Sequence, residues 1–330
     1  MRQHAFLTGG TGFVGGHLAH ELLAGGWTVT VLVRDPDTRA ARQLAAQGAG
    51  LHTGDVTDPA SLLAGMKPGT TAVFHAAADT SVWSRHDARQ TRVNVEGTRN
   101  VVEAAICAHV KRLVHTSSFS AWGFVHGVLD ETTPRSDAGT WINYIRSKRA
   151  AEDIVLGAVG HDRLDAVVCN PAHILGPGDR HNWSRMIRMV SDGSLPGVPP
   201  GGGAFADVRE VARAHVTAFD RGRRGHRYLL GGEDLAFIDL VREVGRRLGR
   251  DVPRRPKPAW LLKAVARARV LGAAFGDQAP DLTPQAAAMI CHHATCDSSL
   301  AQSELNYRFT PIDTLLGDTI AWMRREGMLT

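Results

Sequence analysis

Residues 7–18, LTGGTGFVGGHL, restrict the chain more than any other stretch. A β-rich run, HAFLT (4–8), leads in, and a helical pattern leads out. Between them Gly9, Gly12 and Gly15 stand at three-residue intervals. Glycine makes the tight turn and lets backbone approach a pyrophosphate. The N-terminus of the following helix adds unpaired N–H groups and the positive end of its dipole. Strand, glycine turn and helix together predict a nucleotide site, with Phe13 and Val14 in the first helical turn.

The rest of the first half keeps that rhythm. WTVTVLV (27–33), GLHTG (50–54), TAVFHAA (71–77), RLVHTSS (112–118) and DAVVCN (165–170) read as strands. They are mostly apolar throughout, as buried parallel strands are. Helical stretches such as VNVEGTRNVVEAAICAHV separate them. The alternation predicts a doubly wound α/β fold of the Rossmann type. After about Pro177 the rhythm breaks. PGVPPGGG (196–203) reads as a turn-rich connector, YLLGG (228–232) as one more strand, and the last hundred residues as mainly helical. We expect an NAD(P)-binding domain from 1–177 and 205–232, and a smaller, mostly helical substrate domain from 178–204 and 233–330.

Composition narrows the function classes. Four cysteines in 330 residues do not make a disulfide scaffold. With no leader pattern before the strand at residue 5, the expected setting is cytoplasmic. No long charge-free apolar run predicts an integral membrane segment. The net charge of +5 concentrates in RGRRGHR (221–227) and RRLGRDVPRRPKP (246–258), without aromatic interleaving or a reader motif. That argues against nucleic acid and suits an anionic cofactor. AWLLKAVARARVLGAAFG (259–276) is basic and amphipathic, and reads as a core cover or lid rather than a membrane-surface helix. CHHATC (291–296) has metal-like composition, but its consecutive histidines diverge and no second ligand cluster accompanies it, so no metal is expected.

The end of the second strand selects the nucleotide. An acid there binds the adenine ribose and favours NAD. Here Val33 is followed by Arg34, whose planar fork suits a 2′-phosphate, so NADP is expected; Asp35, one place on, keeps NAD open. Asp55 and Val56, in GDVTD, are placed to meet the adenine.

TGGTGFVGG, GDVTD, VFHAAA, NVEGTRNV, LVHTSS, YIRSK and NPAHILGPGD occur in one order over residues 1–232. In this the chain resembles the extended short-chain dehydrogenase/reductases of the NAD-dependent epimerase/dehydratase superfamily, its dihydroflavonol-4-reductase-like branch above all. The resemblance implies a Ser–Tyr–Lys site of Ser118, Tyr144 and Lys148, with Ser117 as the alternative serine. It also places Ala76, Ala77, Ala78, Thr116, Asn170, Pro171 and His173 along the cofactor, and suggests a homodimer through helices 84–109 and 143–159. Thr80, Ser81, Trp83 and His173 are the candidate substrate contacts. His173 departs from the family pattern, where an apolar residue is usual.

The chemistry follows from the residue types. Lys148 and a cationic nicotinamide would lower the Tyr144 pKa from about 10, so that the phenol exchanges a proton with a carbonyl or alcohol oxygen. Ser118 would hydrogen-bond that oxygen, and Lys148 would hold the ribose. A sugar dehydratase needs an acid pair where this chain has Phe119 and Ser120. A nucleotide-sugar epimerase needs an arginine where it has Gly203. The sequence reading is therefore an NADP(H)-dependent carbonyl reductase or alcohol dehydrogenase acting on a small molecule. A sugar epimerase or hydroxysteroid-type dehydrogenase is the alternative, and a non-catalytic NADP(H) sensor the reading from another class.

Overall fold

The computed structural model describes residues 2–272 and 279–329. Twelve strands are β1 (His4–Thr8), β2 (Thr28–Val33), β3 (Gly50–Thr53), β4 (Ala72–His75), β5 (Arg112–Thr116), β6 (Val128–Leu129), β7 (Ala166–Pro171), β8 (His173–Leu175), β9 (Gly202–Asp207), β10 (Arg227–Leu230), β11 (Glu233–Ala236) and β12 (His293–Cys296). Seven form one parallel sheet in the order β10-β7-β5-β4-β1-β2-β3. The order reverses between β1 and β4, which opens a crevice at their carboxyl ends, where α/β sheets bind ligands.

Helices α1 (Phe13–Ala24), α2 (Arg39–Ala46), α3 (Pro59–Gly65), α4 (Asp87–Thr91), α5 (Gly97–Cys107), α6 (Asn143–Gly160), α7 (Trp183–Ser191) and α8 (Val208–Arg221) cover the sheet and lead out of it. One face buries Leu7, Val31, Phe74 and Val114 against α1 and α8; the other buries Phe6, Val73, Leu113 and Val168 against α5 and α6. Alternate residues of each strand serve opposite faces. Each buried Phe or Leu contributes about 1.5–3 kcal/mol. Between α4 and α5, Arg92–Glu96 widens into a π-helical turn, a distortion that commonly marks functional sites.

The second half departs from the sequence expectation. It holds a second sheet, ordered β11-β9-β12-β6, with β8 also on β9. The glycine-rich stretch read as a connector runs into β9. A Cβ on Gly202 would lie 2.5 Å from the Leu235 carbonyl oxygen, and one on Gly203 2.4 Å from that of Ala294. Glycines here admit close strands on both sides rather than a turn. CHHATC likewise supplies β12. Among the described residues, no group of three or more His, Cys, Asp or Glu is arranged to hold a metal ion.

Helices α9 (Phe237–Leu248), α10 (Ala259–Gly272), α11 (Pro284–Ile290), α12 (Ser299–Leu305) and α13 (Ile312–Arg325) complete the chain. A separate core forms where α7, α9 and α13 meet around Val241, Leu316 and Phe205. The basic stretch 259–276 is helical to Gly272, and residues 273–276 lie outside the described residues. It does not cover a core, since Ala266 alone is buried among its described positions.

Candidate active site

The glycine loop is shaped by what its glycines avoid. Gly9 has φ +75°, and a Cβ there would lie 2.5 Å from the Ala77 nitrogen. A Cβ on Gly15 would lie 2.1 Å from the Gly9 carbonyl oxygen. Gly12 precedes α1 and closes the turn with its N–H on Gly9 O at 2.9 Å. No side chain caps α1 and no acid occupies its first turn, so the N–H groups near Phe13 and Val14 remain suited to an anion. This cradle fits a dinucleotide pyrophosphate.

The opposite wall is braced from below. His75 bridges Thr8 Oγ1 at 2.7 Å and Thr98 Oγ1 at 3.0 Å. The Thr98 hydroxyl donates to Asn94 O, so His75 Nε2 is the donor to Thr98 and Nδ1 accepts from Thr8. Thr8 Oγ1 accepts in turn from Ala77 N–H. Asn94, in the π turn, accepts from Asp79 N–H and donates to Asp79 O and Ser147 Oγ. The Ala76–Ala78 segment is thereby fixed against Gly9.

Arg34 is exposed at the end of β2, without an ion pair among the described residues. The Asp35 carboxylate accepts the Asp37 N–H at 2.8 Å and shapes the turn. Asp55 accepts from the Thr57 N–H and hydroxyl, both at 2.8 Å, and Val56 packs against Gly97.

Tyr144 stands at the start of α6, and Lys148 follows one turn later on the same face. Lys148 is buried and donates from Nζ to Thr116 O at 2.8 Å. Burial lowers its pKa to about 8, against the opposing pull of Glu152. Burial also raises the Tyr144 phenol above its ordinary value, opposed by its hydrogen bond with Ser118. The sequence logic expects Lys148 to lower Tyr144. In this state the lysine is turned onto the Thr116 carbonyl, and desolvation of the phenolate prevails. Ser118 Oγ also accepts the Ser120 N–H at 3.2 Å. Ser117 Oγ is buried and has no hydrogen-bond partner among the described residues.

Behind this group lies a buried charge network. Glu152, fully buried, pairs with Arg227 and, at 2.6 Å, with Arg135. Asn170 Nδ2 donates to Glu152 at 2.8 Å and to Ser118 O at 3.2 Å, and its Oδ1 has no partner among the described residues. Burial would raise the Glu152 pKa, but Arg227, Asn170 and Arg135 outweigh it and keep the carboxylate ionised. On the other sheet face His215 Nδ1 donates to Val211 O, so Nε2 accepts from the Thr116 hydroxyl at 2.9 Å.

His173 sits within a ring of aromatics. Phe119, Phe205 and Phe237 centroids lie at 5.5 Å and Trp183 at 5.4 Å. Burial lowers its pKa to about 4, against a hydrogen bond to the Gly202 backbone, so the ring is neutral at pH 7. A Cβ on Gly203 would lie 2.7 Å from the His173 ring. No arginine fits there. Pro171 ends β7 just before this segment. Thr80 is exposed; Ser81 Oγ bonds His86 Nδ1 at 2.9 Å; Trp83 is buried against His86 and Arg85.

A family model described as "NAD dependent epimerase/dehydratase family" matches residues 5–231. The chain belongs to that family. Its members are NAD(P)-dependent oxidoreductases, epimerases and dehydratases. This member is 31% identical to "Sterol demethylase protein B" of Methylococcus capsulatus, over 98% of this chain and 99% of that protein. It is 30% identical to a dihydroflavonol 4-reductase-like protein of Synechocystis, over 98% and 95%. The crystal structure of gox2253 superposes with a TM-score of 0.85 at 32% identity, covering 100% of both chains.

Two parts of this family member's site escape a reading of its motifs. Glu152 lies one helical turn beyond Lys148, and the i, i+4 spacing was the available signal. The rings about His173 come from positions 119, 183, 205 and 237, and no local pattern joins them.

Proposed function

We propose that the chain is an NADP(H)-dependent oxidoreductase that reduces the carbonyl of an apolar molecule to an alcohol, or runs the reverse. The observation that carries this reading is Ser118 bonded to Tyr144, with Lys148 one turn away, at the carboxyl end of the sheet. Bound in the glycine cradle, the nicotinamide supplies or takes the hydride. Tyr144, held protonated by burial, gives the carbonyl oxygen its proton. Ser118 donates a hydrogen bond to the same oxygen. Lys148 holds the ribose and, as a cation, favours the tyrosinate left after transfer. Asn170, held by Glu152 and Arg227, fixes the Ser118 backbone, and the Glu152 charge favours the Lys148 cation. Arg34 is the residue we assign to the 2′-phosphate, with NAD the weaker ligand.

The surroundings favour an apolar substrate over a sugar diphosphate. The rings of Phe119, Trp183 and Phe237 pack around His173, and Phe119 directly follows Ser118 in the chain. Gly203 is closed to a cation, and Arg209 is engaged by Asp207 and Asp318. A diphosphate buried without a cation is costly. The sterol in the name of the Methylococcus relative is in keeping with this substrate class. The proposal includes two domains, 1–177 with 205–232 around the cofactor and 178–204 with 233–330 around the substrate. It also includes a cytoplasmic homodimer through 84–109 and 143–159.

The test is NADPH oxidation with a panel of apolar aldehydes and ketones, wild type beside Tyr144→Phe. The substitution removes one oxygen, so NADPH affinity should change by less than about threefold. Reduction should fall by roughly 10²–10⁴. Retained activity on a substrate whose chemistry limits the rate would remove Tyr144 from the mechanism. NADPH binding without turnover across the panel would return the sensor reading, and micromolar UDP binding the epimerase reading.

A further inference from the structure

Helices on a globular surface normally hide an apolar stripe. α10 does the reverse. Trp260 is 70% exposed, Val265 36% and Leu271 76%, three of the seven large hydrophobic side chains that stand exposed among the described residues. At about 100° per residue, Trp260, Ala264, Arg267 and Leu271 fall on one stripe, turned away from the buried Ala266. A fourth exposed hydrophobic side chain, Trp141, lines a cavity of about 350 Å³ together with Lys263 and Arg267 of α10.

The charge is as one-sided as the apolar surface. From Arg250 to Gly272 the chain carries seven Lys or Arg and one Asp, whereas the whole chain nets only +5. Of the seven, Arg269 alone has an ion pair among the described residues, with Asp281 at 3.7 Å. A second copy docked here by two-fold symmetry would set cation against cation. A nucleic-acid backbone would match the cations and leave Trp260 and Leu271 without a partner. An anionic lipid surface matches both, phosphate headgroups meeting the cations and the acyl boundary taking Trp260 and Leu271.

We propose that α10 seats this protein on an anionic lipid surface. The contact is peripheral: no helix among the described residues is long and apolar enough to cross a membrane. Trp141 precedes Tyr144 by three residues, so the docked face is also where an apolar substrate held in the bilayer enters. That last step rests on the reductase reading; the lipid contact does not.

Co-sedimentation of the full chain with vesicles tests the contact. Vesicles of phosphatidylcholine with phosphatidylglycerol should carry the protein down, and high salt should release it. Phosphatidylcholine alone should not. Lys263→Glu with Arg267→Glu should weaken binding by at least tenfold, at about fivefold per cation. Trp260→Ser with Leu271→Ser should abolish it, while melting temperature and reduction of a water-soluble aldehyde stay at the wild-type level. No sedimentation with anionic vesicles overturns the proposal, as does binding that survives both double variants. A dimer lost in the Trp260/Leu271 variant, without vesicle binding, overturns it by assigning the face to a second copy. Sedimentation without reductase activity leaves the lipid contact standing and removes the enzymatic reading alone.

Discussion

At the glycine loop side chains have been stripped away; around His173 they have been crowded in. Gly9 and Gly15 let backbone meet backbone, and a single added methyl would overlap a carbonyl. Around His173, aromatic rings at 5.4–5.5 Å do the filling, and Gly203 beside them is bare because the Ala294 carbonyl and the His173 ring already occupy its space. The first region recognises a ligand part common to many enzymes, through backbone N–H groups that any sequence possesses. The second, in the function we propose, faces the substrate, and side chains are its means. Substitutions in the first should therefore fail sharply and by position, and those in the second grade smoothly with volume.

The sharpest break of that contrast is Gly15→Ala. Its Cβ would lie 2.1 Å from the Gly9 oxygen, so the loop backbone has to move. Stability should fall by about 3 kcal/mol, and NADPH binding by at least a hundredfold. Gly16→Ala is the control. Its Cβ would find nothing closer than the Gly10 oxygen at 3.6 Å, and Ala in a helix gains up to about 1 kcal/mol over Gly. Urea unfolding and cofactor titration read both. Equal effects at the two positions would show that the loop tolerates side chains after all.

Next in size is Glu152→Gln, which acts behind the site. It leaves Arg227 without its carboxylate and Arg135 with Asp153 alone, and removing one partner of a buried pair typically costs 3–5 kcal/mol. These arginines keep 22% and 29% side-chain exposure, so about 2–4 kcal/mol is expected. Glu152 also holds the Lys148 pKa up, and with the wild-type value about 8, carbonyl reduction should decline above that pH. In the Gln variant the anion is gone, the ammonium is less favoured, and the decline should begin at lower pH. A pH profile that does not move would mean that Glu152 serves packing alone.

What the sequence disclosed follows the same division. The strands of the main sheet and the glycine loop were legible because each is written in contiguous residues, as is the one-turn spacing of Tyr144 and Lys148; Ser118 meets Tyr144 only through the fold. The second sheet was not. β9 begins in the last two glycines of GGG, which reads as turn, and its strand character comes from β11, β12 and β8 pairing with it. The ring of aromatics likewise exists only after residues 119 and 237 have been brought together. The spacing singles out Tyr144, but not the direction of its pKa, because burial is a property of the fold.

A smaller effect probes the adenine end of the cradle. Arg34→Ala should weaken NADPH by roughly tenfold, the worth of about one exposed charge-assisted bond pair, and leave NADH within about twofold. Isothermal titration with both cofactors decides. Equal losses, or tighter wild-type binding of NADH, would pass selection to Asp35.

The smallest expected effect belongs to His173→Phe, and it tests the crowded region directly. Histidine ordinarily titrates near neutrality, and one beside an active site invites a catalytic role. Here burial takes the pKa to about 4, so the ring is neutral on both sides of pH 6.5 and gains no charge over the working range. Phenylalanine keeps the ring and loses the bond to the Gly202 backbone, which is worth about 0.5–1.5 kcal/mol. Added apolar burial offsets part of that. Stability should therefore change by less than about 1 kcal/mol, and KM for an apolar carbonyl by a few-fold. The rate profiles of wild type and variant should overlie between pH 5 and 7. An acid limb near pH 6.5 in the wild type that vanishes in the variant would mean that water reaches the ring when substrate binds. The region would then be a polar contact that moves protons, rather than a filled apolar wall.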